Sequence, residues 1–226
     1  MTTYWKQVWV IIWKDLVLEI RSRERIASMA AFAVLAGVLF NFSIDTTTTR
    51  TQDVAAGLIW MTLVFGGLIG VGRTFQLEAE DGAFQGVLMS PAPKDAIFLA
   101  KTAANFVLLY AMSLLVLGVF AVFFGLELGS NFPWVALVLG VGALGFVALG
   151  TLFAAVSTGT NMGETLLPVL LFPLLVPMVI YGVGTTTRLI AGRPFDEVEA
   201  NVRMLGAFAL AAVAAGAVLF RYVVED

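Results

Sequence analysis

The sequence predicts an all-α polytopic membrane protein, with six transmembrane helices behind an amphipathic helix that lies on the membrane surface. Three observations lead there. Of 226 residues 60% are hydrophobic and 13% charged, where a soluble domain carries about a quarter charged. The apolar residues gather in runs of roughly 18 or more, enough to cross ~30 Å of hydrocarbon at about 1.5 Å per helical residue. The charges collect between those runs.

Residues 4–25 form the surface element. Trp5, Val8, Trp9, Ile12, Trp13, Leu16 and Ile20 share one arc at helical spacing, with Lys6, Lys14 and Asp15 opposite. Tryptophan suits the headgroup layer, where its ring stays half wet. Glu19 interrupts the arc, and the alternative is a frayed start to the first span. Spans follow near 27–44, 54–72, 96–123, 132–156, 166–184 and 205–224. The third and fourth are longer than a bilayer requires, so they tilt or project past it. Residues 1–226 read as a single transmembrane domain. The first twenty residues lack an apolar core ending in small residues, so no cleavable signal peptide is expected.

Basic residues set the orientation. With six spans, Lys6, Lys14, Arg21, Arg23, Arg25, Arg73, Lys94, Lys101 and Arg221 share one side, and Arg50, Arg188, Arg193 and Arg203 the other. Nine against four places both termini in the cytoplasm. The outer loops are modest: Asp45 to Asp53 is threonine-rich, Gly125 to Asn131 is shorter, and Thr185 to Arg203 forms a short interfacial helix or a solvated loop.

Histidine and cysteine are both absent, which removes the commonest metal and haem ligands, the usual general base and any disulfide. No Gly-x-x-x-x-Gly-Lys-Ser/Thr loop is present, since Lys101-Thr102 follows Leu99-Ala100. The chain is expected to be no enzyme, to bind no cofactor and to meet no nucleic acid.

One stretch exceeds what a return loop needs. Residues 75–93 carry Glu78, Glu80 and Asp81 close together, and on a helix Leu77, Phe84 and Leu88 share a side with Val87 beside them. Ser90-Pro91-Ala92-Pro93 then ends the helix. This segment reads as a handle gripped by something outside the membrane; the plain alternative is a solvated amphipathic loop.

Inside the membrane, the fifth span carries Pro168, Pro173 and Pro177. Each removes a backbone donor and crowds the carbonyl four residues back, so the helix is expected to bend or break and to face protein rather than lipid. It is a hinge or gate, or else a static kink. Gly66 and Gly70, and Ala207, Ala211 and Ala215, repeat a spacing that lets helices approach closely, within the bundle or across a homodimer. Gly140, Gly145 and Gly150 mark one side of the fourth span. Asn105 and Ser113 are polar at depth, without the charged relay of a proton-coupled pump.

This arrangement resembles the permease half of ABC-2-type exporters. The residues look most like the haem exporter protein B family of cytochrome c maturation, CcmB. The matching stretches are Arg73-Thr-Phe-Gln-Leu-Glu-Ala-Glu-Asp-Gly82, Leu88-Met-Ser-Pro91, Ala100-Lys101 and Leu166-Leu-Pro-Val-Leu-Leu-Phe-Pro-Leu-Leu-Val-Pro177, and the similarity covers essentially the whole chain. Gly72 stands where family members often carry an acid, and Asn161 and Met162 where basic residues can occur.

The resemblance implies an ABC-2-type exporter fold in a bacterial inner membrane and a homodimer paired with two copies of a separate ATPase, CcmA. It implies CcmC and CcmD as further subunits and the haem chaperone CcmE as an indirect partner. ATP and Mg would sit on the ATPase, and haem on other subunits. Leu77, Glu78, Glu80, Asp81, Gly82, Phe84, Val87, Leu88 and Ser90 would then form the ATPase-coupling segment, with Gly82 allowing close backbone approach. An exporter of lipid, drug or polysaccharide is the alternative within the class, and a membrane scaffold that recruits a cytoplasmic partner is the alternative outside it.

Overall fold

The computed structural model describes residues 2–44, 51–72, 74–75, 86, 89–90, 92–158 and 163–225. Among them seven long helices follow in order: α1 (Thr2–Ser22), α2 (Glu24–Ser43), α3 (Thr51–Gly72), α4 (Lys94–Phe124), α5 (Phe132–Thr158), α6 (Gly163–Ile190) and α7 (Glu199–Glu225). Six of the described helices, α2 to α7, are long and apolar enough to cross a membrane. Successive spans alternate in direction, so the starts of α1, α2, α4 and α6 and the ends of α3, α5 and α7 share one end of the bundle, the terminal end.

Local chemistry sets the boundaries. Arg23 takes a left-handed conformation (φ 58°) between α1 and α2, which turns the chain without glycine and separates α1 as a complete helix rather than a frayed start. Gly125 (φ 61°) ends α4, its N–H returning to the Ala121 carbonyl, a left-handed stop that favours glycine. The fifth and sixth spans are longer than expected, meeting closer across the outer loop. Thr185 and Thr187 donate to the carbonyls of Tyr181 and Val183 at 2.6 and 2.9 Å; hydroxyls satisfied this way let α6 run on to Ile190. The outer loop is therefore neither a full interfacial helix nor a free loop, but a short connection holding the single turn Phe195–Glu197.

α5 is the central helix: 78% of an apolar 18-residue stretch within it is buried, against 28% of the corresponding stretch of α6. Its glycines do not mark one side. Gly140 meets Tyr110 of α4, Gly145 meets Phe208 and Ala209 of α7, and Gly150 meets Val71 of α3. A close approach to two helices is made by Trp60 of α3, wholly buried. A Cβ on Gly142 would lie 2.2 Å from its ring and one on Gly182 2.3 Å, so the indole fills a notch cut in two neighbouring helices. Its Nε1 donates to Thr186 Oγ1 at 3.0 Å.

Within the described residues α6 runs unbroken through Pro168, Pro173 and Pro177. Its Val169, Leu170, Phe172, Leu174, Val176 and Ile180 are exposed on the single chain, a face open to lipid or to a second copy. Ala207, Ala211 and Ala215 are also exposed, while Ala209, Ala212 and Gly216 face the bundle; Gly216 accommodates the ring of Phe98.

Candidate functional site

Most of the predicted handle, Leu77, Glu78, Glu80, Asp81, Gly82, Phe84, Val87 and Leu88, lies outside the described residues. Its two roots are described. Met89 is 84% exposed and Ser90 half-buried. Pro93 caps the start of α4 in an extended conformation, and the Ile97 N–H donates to its carbonyl at 3.2 Å.

The other root is Phe75, 1% exposed. A turn after α3, closed by Thr74 N–H to Val71 O at 2.9 Å, drops its ring onto α7. There it stacks on Phe220 with centroids 6.3 Å apart, and Phe220 meets Phe98 of α4 at 5.6 Å. Beside it, Asn105 Nδ2 donates to Thr74 Oγ1 and to Thr151 Oγ1, both at 3.0 Å. One amide thus ties the turn to α4 and α5, and its polar atoms are satisfied where water is scarce.

Over the Phe75 ring lies Lys101 Nζ, 5.4 Å from the centroid. Lys101 is 3% exposed and 3.1 Å from Asp15 Oδ2; Lys14 reaches the other oxygen of Asp15 at 3.2 Å. Burying an ammonium is costly unless it is paired, and the carboxylate and the aromatic face offset that cost. Asp15 faces protein although it lies opposite the apolar arc of α1, and Lys101, counted among the residues that set orientation, is a buried charge within α4. No local pattern could have revealed the pair, because the residues are distant in sequence.

α1 is also held elsewhere. Val8 packs on Ala96 and Ala100 with Tyr4, Ile11 and Ile12 around it, and the Tyr4 hydroxyl donates to Asp95 Oδ2 at 2.9 Å. Burial, then the hydrogen bond and charge of Asp95, push the Tyr4 phenol up to about 12. Asp95 sits in the first turn of α4, where the helix dipole favours a carboxylate. The single apolar arc therefore divides: Val8 and Ile12 turn to α4, while Trp5, Trp9 and Trp13 stay exposed at 62%, 64% and 60%. Among the described residues no group of three or more acids gathers to hold a metal ion. The arrangement anchors Phe75 and the start of α4, the described residues on either side of the 75–93 segment.

Comparison with known proteins agrees with the architecture. The family model described as CcmB protein matches residues 6–224. The chain is 30% identical over 213 residues to heme exporter protein B of Paracoccus denitrificans, covering 91% of this chain and 95% of that one. It is 28% identical over 201 residues to heme exporter protein B of Rhodobacter capsulatus, covering 89% and 90%. The protein of the same name from Escherichia coli (strain K12) is 27% identical over 201 residues, covering 88% and 89%.

Proposed function

Because this chain belongs to the CcmB family, we propose that it is the permease subunit of an ABC-type complex for cytochrome c maturation. ATP is hydrolysed on a separate CcmA-like subunit. The complex serves haem delivery, releasing the haem-loaded chaperone CcmE, and CcmC and CcmD complete it around a homodimer of this chain. Both termini and the 75–93 segment lie in the cytoplasm, in line with the basic-residue bias. Without histidine or cysteine, the chain leaves iron ligation to other subunits.

The observation that carries this reading is the seating of the segment's roots. Phe75 is wedged against α4 and α7, Thr74 is tied to α4 and α5, and Pro93 leads directly into α4. A loop that only returned the chain would need no such foot. A push on the segment would pass into three spans at once, and rigid-body displacement of packed helices is the ordinary output of such a push. Phe84, Val87 and Leu88 would fill a groove in the ATPase, with Glu78, Glu80 and Asp81 meeting basic residues at its rim.

Reversing charge at Glu80→Lys and Asp81→Lys together tests it. The expected result is at least about a tenfold loss of co-purifying ATPase subunit, with the protein still inserted and dimeric. Undiminished ATPase association with normal cytochrome c assembly would refute the proposed interface.

A further inference from the structure

Lys101 stands about two turns into α4, where three elements converge. Its ammonium is 3.1 Å from Asp15 of α1 and 5.4 Å from the ring of Phe75, the foot of the 75–93 segment. We propose that Lys101 is a positioning residue of the coupling machinery, fastening α1 and the foot of the segment to α4 so that all three move as one body. This deepens the proposed function and rests on it.

The chemistry suits the task. A lysine is a compact charge on a flexible stem, able to hold a carboxylate and an aromatic face together. Sealed from water, these attractions are stronger than the same contacts at a surface. A second tie, Tyr4 to Asp95 at 2.9 Å, lies toward the other end of α1, with Val8 packed between the two on Ala96 and Ala100. Fixed at two points, α1 cannot pivot on α4. Its exposed tryptophans would then carry the membrane surface's resistance into the same body.

The test compares Lys101→Met, which keeps the stem and removes the charge, with Lys101→Arg, in cells and in the complex purified from them. Lys101→Met is expected to insert, retain the ATPase subunit and permit ATP hydrolysis, yet lower cytochrome c maturation at least about fivefold. Lys101→Arg, which keeps the charge, restores most of it. The chain has no cysteine, so spin labels at Val10→Cys and Val107→Cys, both exposed, report α1 against α4 alone. Their distance distribution should be narrow in the parent and broad with Lys101→Met.

Normal maturation with Lys101→Met overturns the proposal. So does loss of insertion in step with maturation in both Lys101→Met and the milder Asp15→Asn. If the parent itself retains no ATPase subunit, the proposed function fails instead. The label distances then decide whether Lys101 fastens α1: an unbroadened distribution overturns that tie, and a broadened one supports it.

Discussion

Trp60 and Lys101 are both buried side chains that join several elements, one in the half of the bundle away from the termini and one at the terminal end. Trp60 does so by shape, its ring pressed into Gly142 and Gly182 with one hydrogen bond to Thr186. Lys101 does so by charge, across a flexible stem, to Asp15 and Phe75. Lipid supplies little hydrophobic drive between helices, so cohesion comes from close packing and hydrogen bonds. A notch filled by an indole has one arrangement and resists displacement, because packed interiors are not continuously deformable. Lys101's ion pair and aromatic contact instead hold α1 and the Phe75 turn to α4, so that these elements shift together. The far half is a frame; the terminal end is where displacement can enter.

Substitutions in the notch should break the frame most severely. Gly182→Leu places atoms where the Trp60 ring already lies, and the expected outcome is loss of folded protein in detergent, read by size-exclusion profile. Trp60→Ala leaves a cavity among three helices and should destabilise by roughly 3 kcal/mol or more, measured by thermal unfolding in a fixed detergent. Trp60→Phe drops the bond to Thr186 and withdraws the indole atoms nearest Gly142 and Gly182, for a smaller loss of about 1–2 kcal/mol.

At the terminal end the effects are smaller and more selective. Asn105→Leu removes the donor to Thr74 and Thr151 and should also lower stability by about 1 kcal/mol. Unlike Trp60→Phe, it should loosen the turn holding Phe75, seen as faster hydrogen exchange at residues 74–75.

Alkaline pH gives the smallest effect. The Tyr4 phenol titrates at about 12 in the fold against 10.0 unperturbed. A raised folded value means that the fold favours the neutral phenol. Its contribution is complete below pH 10 and is lost as pH rises from 10.0 to about 12. The tie between α1 and Asp95 should loosen across that window in the parent. It should show no such titration in Tyr4→Phe, measured by the Val10–Val107 label pair.

Much of the fold was legible because lipid imposes it. Long apolar runs can only be helices, and the first four spans end within a few residues of their expected positions. The last two missed where polarity misleads: threonines bonded to their own helix extend α6, and Glu199 paired with Arg203 at 3.6 Å opens α7. Periodicity found the α1 helix but could not tell its protein-facing flank from its lipid-facing one, since both are apolar. Small-residue spacing at Ala207, Ala211 and Ala215 could not separate bundle packing from a seam between copies, and the fold leaves those alanines exposed on the single chain. Around the candidate site, the helix ends at Gly72 and Lys94 that flank the segment were readable from composition. Its foot was not: Phe75, Lys101 and Asp15 are joined only by the fold.

Paired spin labels in the assembled complex, measured with and without MgATP, test the division between frame and moving end most directly. Across the Trp60 notch, Leu137 to Ile180 should hold its distance. At the terminal end, Val10 on α1 to Val169 on α6 should change by about 2 Å or more. An unchanged Val10–Val169 distance, or a change confined to Leu137–Ile180, would contradict the account.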